Sequence, residues 1–339
     1  MYHMAYDFIA VGDTVTDEFI ELEDVRIDTE PDPGDKGYDE ICFRFGDKVS
    51  YRDVEVVYAV GNAANAAVAA TRLGLSTAFV TDIGTDELGE RKKQTLEAND
   101  VDCTYVEMHE GMKSNHHYVL RKGPERTILI KHWEYPYELP SDLVEPRWMY
   151  LSSVGEHGLD YHFEIARYLA AHPAVKLAFQ PGTFQIKLGA KTLADLYAHT
   201  HIFFCNREEA GRILETKDST DVQKLLRDLA ALGPKVVCVT DGPSGAYAYD
   251  AERGKTWFTP MYPDPKPPVD RTGAGDSFAA TVVSALALNE PLQKALAWGP
   301  VNSMSVVQYI GAQEGLLTRE KLLELLARAP ADYRVREYS

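Results

Sequence analysis

The chain has 339 residues, 45% of them hydrophobic, and a formal charge of −17 from 35 Lys plus Arg against 52 Asp plus Glu. That composition supplies a sizeable core and excludes a disordered or fibrous chain. The acidic balance argues against a broad nucleic-acid or anionic-membrane surface, while leaving open a single phosphate site built from backbone amides.

The opening MYHMAYDFIAVGD lacks a basic segment followed by an apolar core and a cleavage site, and no apolar run approaches the length of a membrane span. Cys42, Cys103, Cys205 and Cys238 form no CxxC pair, so neither a zinc ribbon nor a dithiol site is expected. A reduced, cytoplasmic protein is the simplest reading.

Along the chain, short β-branched and aromatic runs alternate with helical patterns: DFIAVG, NAANAAVAATRLG, STAFVTDIG, ELGERKKQTLEAND, and onward past KVVCVTDG. This alternation predicts an α/β architecture with a mostly parallel sheet, in which ligands bind at the carboxyl ends of the strands. Two stretches break the pattern. One runs from about Glu21 to Tyr58, with PDPGDKG as a turn cluster and ICFRF and VEVVYAV as strands; the other runs from Cys103 to His132 through CTYVEMHEG, HHYVLRKGPE and RTILIKH. Both are expected in a small β layer over the edge of the sheet, which makes that layer a candidate lid.

The string VDRTGAGDSFAATVVSALAL at 269–288 carries the densest local signal. Gly273-Ala274-Gly275 permits a sharp turn with exposed N–H groups, and Asp276 to Leu288 reads as a helix ended by Asn289 and Pro291. Amides at such a start form an anion site. Asp276 could either cap that helix or take a proton from a substrate hydroxyl, and a tight turn with an Asp cap is the plainer alternative. No GxxxxGK[ST] is present, since KLGAKTLADL at 187–196 lacks the upstream glycine, and no GxGxxG follows a strand. A nicotinamide oxidoreductase therefore has no fingerprint here.

DRTGAGDSF resembles the DTxGAGD motif of the ribokinase-like (PfkB) carbohydrate kinase family. Further segments resemble that family in order: GDTVTD at 12–17, GNAANAAVAATRLG at 61–74, FVTDIGTDELGE at 79–90, NREE at 206–209, TDGPSGAY at 240–247 and GAQEG at 311–315. The resemblance covers nearly the whole chain. It implies one ribokinase-like domain over 1–339, a three-layer α/β/α sandwich with a mostly parallel central sheet, and a small β-sheet lid from about 14–60 and 102–132. The implied activity is transfer of the γ-phosphoryl group of ATP to a sugar hydroxyl, as in a kinase of ribose, fructose or a similar sugar. A nucleoside kinase is the alternative, followed by a sugar-phosphate kinase and a non-catalytic sugar- or nucleotide-binding regulator.

By position, the resemblance makes Asp276 the catalytic base and gives Gly273, Ala274 and Gly275 the anion hole. Positioning and fixed N–H dipoles are what phosphoryl transfer requires, and a general base contributes about 10² to 10⁴. Asn206 and Glu209 of NREE match the element that organises Mg²⁺ and its waters, although the same pair reads as a capping box. Asp17, Gly61, Asn62 and Asn65 are implied at the acceptor, where a carboxylate and carboxamides suit a polyol; the competing readings are a solvated loop for Asp17 and capping of an Ala-rich helix for the two asparagines. Thr240, Gly242 and Gly245 are implied at the nucleotide, and Asp270 near a monovalent-cation site for potassium.

The chain departs from the family pattern at Arg271 and at Val60-Gly61-Asn62, which replaces a double glycine. Arg271 is expected either in solvent or near the phosphates. Arg121, Lys122 and Arg126 in the lid are the cations that keep a phosphorylated acceptor open. His116, His117, His157 and His162 match no metal motif and are expected at surface or lid positions. The resemblance also implies a homodimer through the lid, with VEVVYAV and RTILIKH supplying its apolar content.

Overall fold

The computed structural model describes residues 6–30, 38–123, 125–216 and 218–338. The turn cluster expected at 31–37 lies outside them. A ten-stranded sheet forms the centre, with strand order Arg336–Glu337, Lys255–Thr259, Ala246–Asp250, Val236–Thr240, Thr200–Asn206, Lys176–Phe179, Trp148–Leu151, Phe8–Val11, Thr77–Gly84 and Val106–His109. The pairings from Val236–Thr240 to Val106–His109 are parallel and the three at the other edge are antiparallel.

Alternation within the strands explains the layering. Phe8 and Ala10 pack into one core and Ile9 and Val11 into the other; Trp148 and Tyr150 divide from Met149 and Leu151 in the same way. Both faces of these strands are buried, so they read as continuous apolar runs. The first face is covered by helices Asn62–Arg72, Ala274–Ala287 and Leu292–Val306, the second by Leu159–Ala171 and Val222–Ala230. The α/β/α sandwich expected from the sequence is present.

A four-stranded sheet stands apart, ordered Tyr51–Val60, Val15–Leu22, His116–Lys122 and Glu125–Leu129, beside a hairpin of Arg26–Glu30 and Tyr38–Cys42. One expectation changes here. Val106–His109, within the segment assigned to the small layer, instead pairs in parallel with Thr77–Gly84 at the edge of the large sheet. The reason is local: helix Glu87–Ala98 returns the chain to a parallel position, completing a βαβ unit, and Val106 buries itself against the core.

The 269–288 helix also begins earlier than expected, spanning Ala274–Ala287, so that Asp276 lies in its first turn. No helix among the described residues is long and apolar enough to cross a membrane.

Candidate active site

Strands Phe8–Val11, Lys176–Phe179, Thr200–Asn206 and Val236–Thr240 point their carboxyl ends at one side of the sheet, and the segments following them deliver Asp13, Gln180, Glu209 and Gly242. Two cavities open there. The first, about 650 Å³, is lined by Asp17, Gly61, Asn62, Asn65, Glu209 and Asp276 among others. The second, about 400 Å³, is lined by Thr240, Gly242, Gly245, Arg271, Ala274 and Gly275 among others. The GAGD turn is the partition: Thr272 and Asp276 face the first cavity, Ala274 and Gly275 the second.

Gly273 makes the turn. It adopts φ 78°, and a Cβ there would lie 2.3 Å from the Cβ of Ala312. Gly275 differs, because a Cβ built on it meets nothing within 4 Å. Its missing side chain therefore leaves room for something outside the fold. The first helical bond runs from Ser277 N to Gly273 O at 2.8 Å, and Ala274 N points back to Arg271 O at 3.4 Å. The Gly275 and Asp276 amides thus precede the ladder, at the positive end of a 14-residue helix.

Asp276 is held by three amides. Asn62 Nδ2 donates to Oδ1 at 2.8 Å, Gln180 Nε2 to Oδ1 at 3.0 Å, and Asn65 Nδ2 to Oδ2 at 2.9 Å. Burial raises its pKa above the ordinary carboxylate value, opposed by these hydrogen bonds. The carboxylate is fixed in direction while facing the first cavity. Behind it, the buried Tyr150 hydroxyl donates to Gln180 Oε1, and Gln313 Nε2 donates to Asn65 Oδ1 at 3.0 Å and to Ala59 O at 2.7 Å.

The other expected residues fall on both sides of this centre. Asp17, buried, has Oδ1 3.4 Å from His117 Nδ1 and lines the first cavity. Gly61 caps helix Asn62–Arg72 at φ 107°. Asn206 and Glu209 form the capping box: Asn206 Oδ1 accepts from Glu209 N and Glu209 Oε2 accepts from Asn206 N, each at 2.8 Å. Thr240 sits beside Asn206 in the parallel ladder, and Gly242 and Gly245 follow it at φ 49° and 99°. Asp270 is buried with both oxygens engaged, Oδ1 by Thr272 and Oδ2 by Gly311 N at 3.0 Å, while the Arg126 guanidinium stands 4.0 Å away.

Several positions went unassigned in the sequence. Gln180 and Tyr150 carry no local motif, although Gln180 stands at the carboxyl end of a parallel strand, where site residues gather. Asp13, inside GDTVTD, accepts from Tyr137 OH at 3.0 Å and lies 2.9 Å from His132 Nδ1; all three line the first cavity. Arg121 faces Glu21 at 4.0 Å and Lys122 Nζ donates to Glu23 O at 2.5 Å, so neither lid cation is directed at the cavity. His157 lines the cavity, whereas His162 is buried in the core, its Nδ1 against Gly158 O; that corrects its expected surface position.

The match to the pfkB family carbohydrate kinases runs over residues 37–319, most of the chain. The chain belongs to the PfkB carbohydrate kinase family. Its class is that of a phosphotransferase with an alcohol acceptor. Fructoselysine 6-kinase of Escherichia coli is 25% identical over 273 residues, 77% of this chain and 94% of that protein. Bacillus subtilis ribokinase is 29% identical over 276 residues, 79% and 87% of the two chains. Among solved structures, Arabidopsis thaliana ribokinase complexed with ribose and ATP superimposes with a TM-score of 0.76 at 21% identity, covering 95% of this chain and 99% of that one. A Methanocaldococcus jannaschii nucleoside kinase gives 0.74 at 20%, covering 95% and 98%. The PfkB chain thus carries the ribokinase fold over nearly its full length.

Proposed function

We propose that this PfkB protein transfers the γ-phosphoryl group of ATP to a hydroxyl of an unphosphorylated sugar, with Asp276 as general base. The observation carrying this reading is the position of Asp276: amide-clamped, at a helix start, on the wall between two cavities. The first cavity takes the acceptor, with Asp17, Gly61, Asn62 and Asn65 around its hydroxyls. The second takes the nucleotide, with Asn206 nearby and Thr240, Gly242 and Gly245 along its rim.

In this mechanism Asp276 accepts the acceptor proton as the hydroxyl oxygen attacks phosphorus, and the turn Gly273-Ala274-Gly275 presents amides to the equatorial oxygens. Helix-end N–H groups need no reorganisation when charge develops. The open space at Gly275 fits close approach of a phosphate to the backbone.

Glu209 suits Mg²⁺. Burial raises its pKa, the Asn206 amide and the Arg212 charge oppose that rise, and the Asp276 and Glu208 charges add to it, a crowding of carboxylates that a further cation would relieve. Its Oε2 already serves the cap, so Asn206 and Glu209 would hold Mg²⁺ largely through its waters. When bound, the ion screens the charge on the transferring phosphates.

Among the described residues the acceptor cavity bears six carboxylates, on Asp13, Asp17, Glu134, Glu156, Glu209 and Asp276, against Lys131 as its one lysine or arginine. Such a wall disfavours an acceptor that already carries a phosphate. A nucleoside is the second reading, favoured by aromatic Trp133, Tyr137 and Phe184 on the same wall, which offer ring faces to a base. A non-catalytic regulator conflicts with the intact clamp around Asp276. The test is acceptor-dependent ADP release from Mg-ATP with ribose, fructose, fructoselysine, nucleosides and sugar phosphates. Absence of release across that panel defeats the reading, and exchange of K⁺ for Na⁺ in the same assay tests the expectation attached to Asp270.

The small sheet serves as lid in this reading. Its exposed Val54, Val56, Tyr118 and Leu129 support a homodimer through that surface, which a solution mass measurement decides. Four unpaired cysteines support the cytoplasmic expectation.

A further inference from the structure

Lys92 is fully buried, on helix Glu87–Ala98. An ammonium in that position is costly, and buried lysines are normally paired with a carboxylate. Among the described residues none lies within ion-pair distance of it. Its Nζ instead donates to two main-chain carbonyls, Asn115 O at 2.6 Å and Thr14 O at 3.4 Å.

Those carbonyls are the last before the small sheet. Thr14 precedes strand Val15–Leu22 and Asn115 precedes strand His116–Lys122. The other two strands of that sheet are tied to the same place. Thr14 Oγ1 donates to Val60 O at 3.2 Å, at the end of Tyr51–Val60, and Asn115 Oδ1 accepts from Trp133 N at 2.7 Å, four residues beyond Glu125–Leu129. Thr16 N also donates to Asn115 O, at 3.1 Å. All four strands therefore root around Thr14 and Asn115, with one ammonium beneath the pair.

We propose that Lys92 is a positioning residue for acceptor binding: it ties the roots of the small sheet to the large one and thereby holds Asp17 over the first cavity. Asp17 lies three residues beyond Thr14, in register with His117, two residues beyond Asn115. A shift of either root displaces the carboxylate and its neighbouring imidazole together. The proposal rests on reading the first cavity as the acceptor site.

Burial pushes Lys92 down to about 7, against the pull of Asp86, Asp13 and Asp17, the charged groups that face it from the turn before its helix and from the strand root. The clasp is then strongest when protonated, because charge-assisted hydrogen bonds exceed neutral ones.

The test compares wild type with Lys92→Met, which keeps the stem and removes the charge. The expected result is an acceptor KM raised about 10- to 100-fold, the range that a hydrogen bond to a charged group carries, with KM for ATP nearly unchanged. In wild type the acceptor KM should rise as pH climbs past about 7, and that rise should vanish in the variant. Amide hydrogen exchange gives a readout independent of turnover. Faster exchange in Lys92→Met confined to residues 15–18 and 116–119 supports the proposal even if no acceptor is found. Unchanged exchange there, an equal loss of acceptor and ATP binding, or a uniform loss of protection overturns it. A failure of the kinase reading appears separately, as no phosphoryl transfer by wild type.

Discussion

Asn65 and Asp276 are 211 positions apart in the chain, yet Asn65 Nδ2 donates to Asp276 Oδ2 at 2.9 Å. The bond joins the start of the Ala-rich helix Asn62–Arg72 to the start of Ala274–Ala287. Two helix N-termini thus converge on one carboxylate, and groups facing the first cavity and groups facing the second share one frame.

Replacing the proposed base should separate chemistry from binding. Asp276→Asn is expected to lower kcat by about 10² to 10⁴ while leaving ATP affinity close to wild type by calorimetry. Turnover near wild type removes Asp276 from that role.

Gln180 predicts a shift in pH dependence. Its amide stabilises the charged form of Asp276, so Gln180→Leu should raise the Asp276 pKa further. The acid limb of the kcat profile, which reports deprotonation of the base, should then move to higher pH. The variant also strands the buried Tyr150 hydroxyl, at a stability cost of about 1–3 kcal/mol. An unmoved acid limb breaks the link between Gln180 and the base.

The two turn glycines should fail in different ways. Gly273→Ala puts a side chain at φ 78° and 2.3 Å from Ala312 Cβ, so it should destabilise the fold by more than about 1 kcal/mol. Gly275→Ala meets nothing within 4 Å beyond its own stretch of helix and should melt like wild type, with weakened ATP binding. Thermal melts paired with nucleotide titrations distinguish them, and normal ATP affinity in Gly275→Ala argues against phosphate approach at that point.

Asp17→Ala should raise the acceptor KM while sparing the KM for ATP, since its carboxylate lines the first cavity and not the second. Steady-state kinetics with each substrate varied in turn is the measurement, and equal losses point to a structural role for Asp17.

Stability should also carry the signature of Lys92. Its folded pKa of about 7 lies below the ordinary 10.5, so the unfolded chain holds the proton more tightly. That deficit is full below pH 7 and is relieved as pH rises toward 10.5. Wild type should therefore gain on Lys92→Met in Tm across that window, and a constant difference contradicts a buried ammonium.

The sequence alone determined the α/β class, the GAGD turn and the capping box of Asn206 with Glu209, because each depends on backbone conformation set by near neighbours: one glycine at positive φ, an N-cap three residues before its partner, apolar strand runs. It also placed Asp276 at a helix start. Long-range packing is what lets Gln180 complete the amide clamp, brings Asp13 to His132 and Tyr137 in the cavity wall, carries Val106–His109 into the large sheet, and sets Lys92 beneath four strand roots. Those relationships have no local spacing to reveal them. They arise when parallel strands bring distant segments to one edge, where burial gives otherwise ordinary side chains partners that they must satisfy.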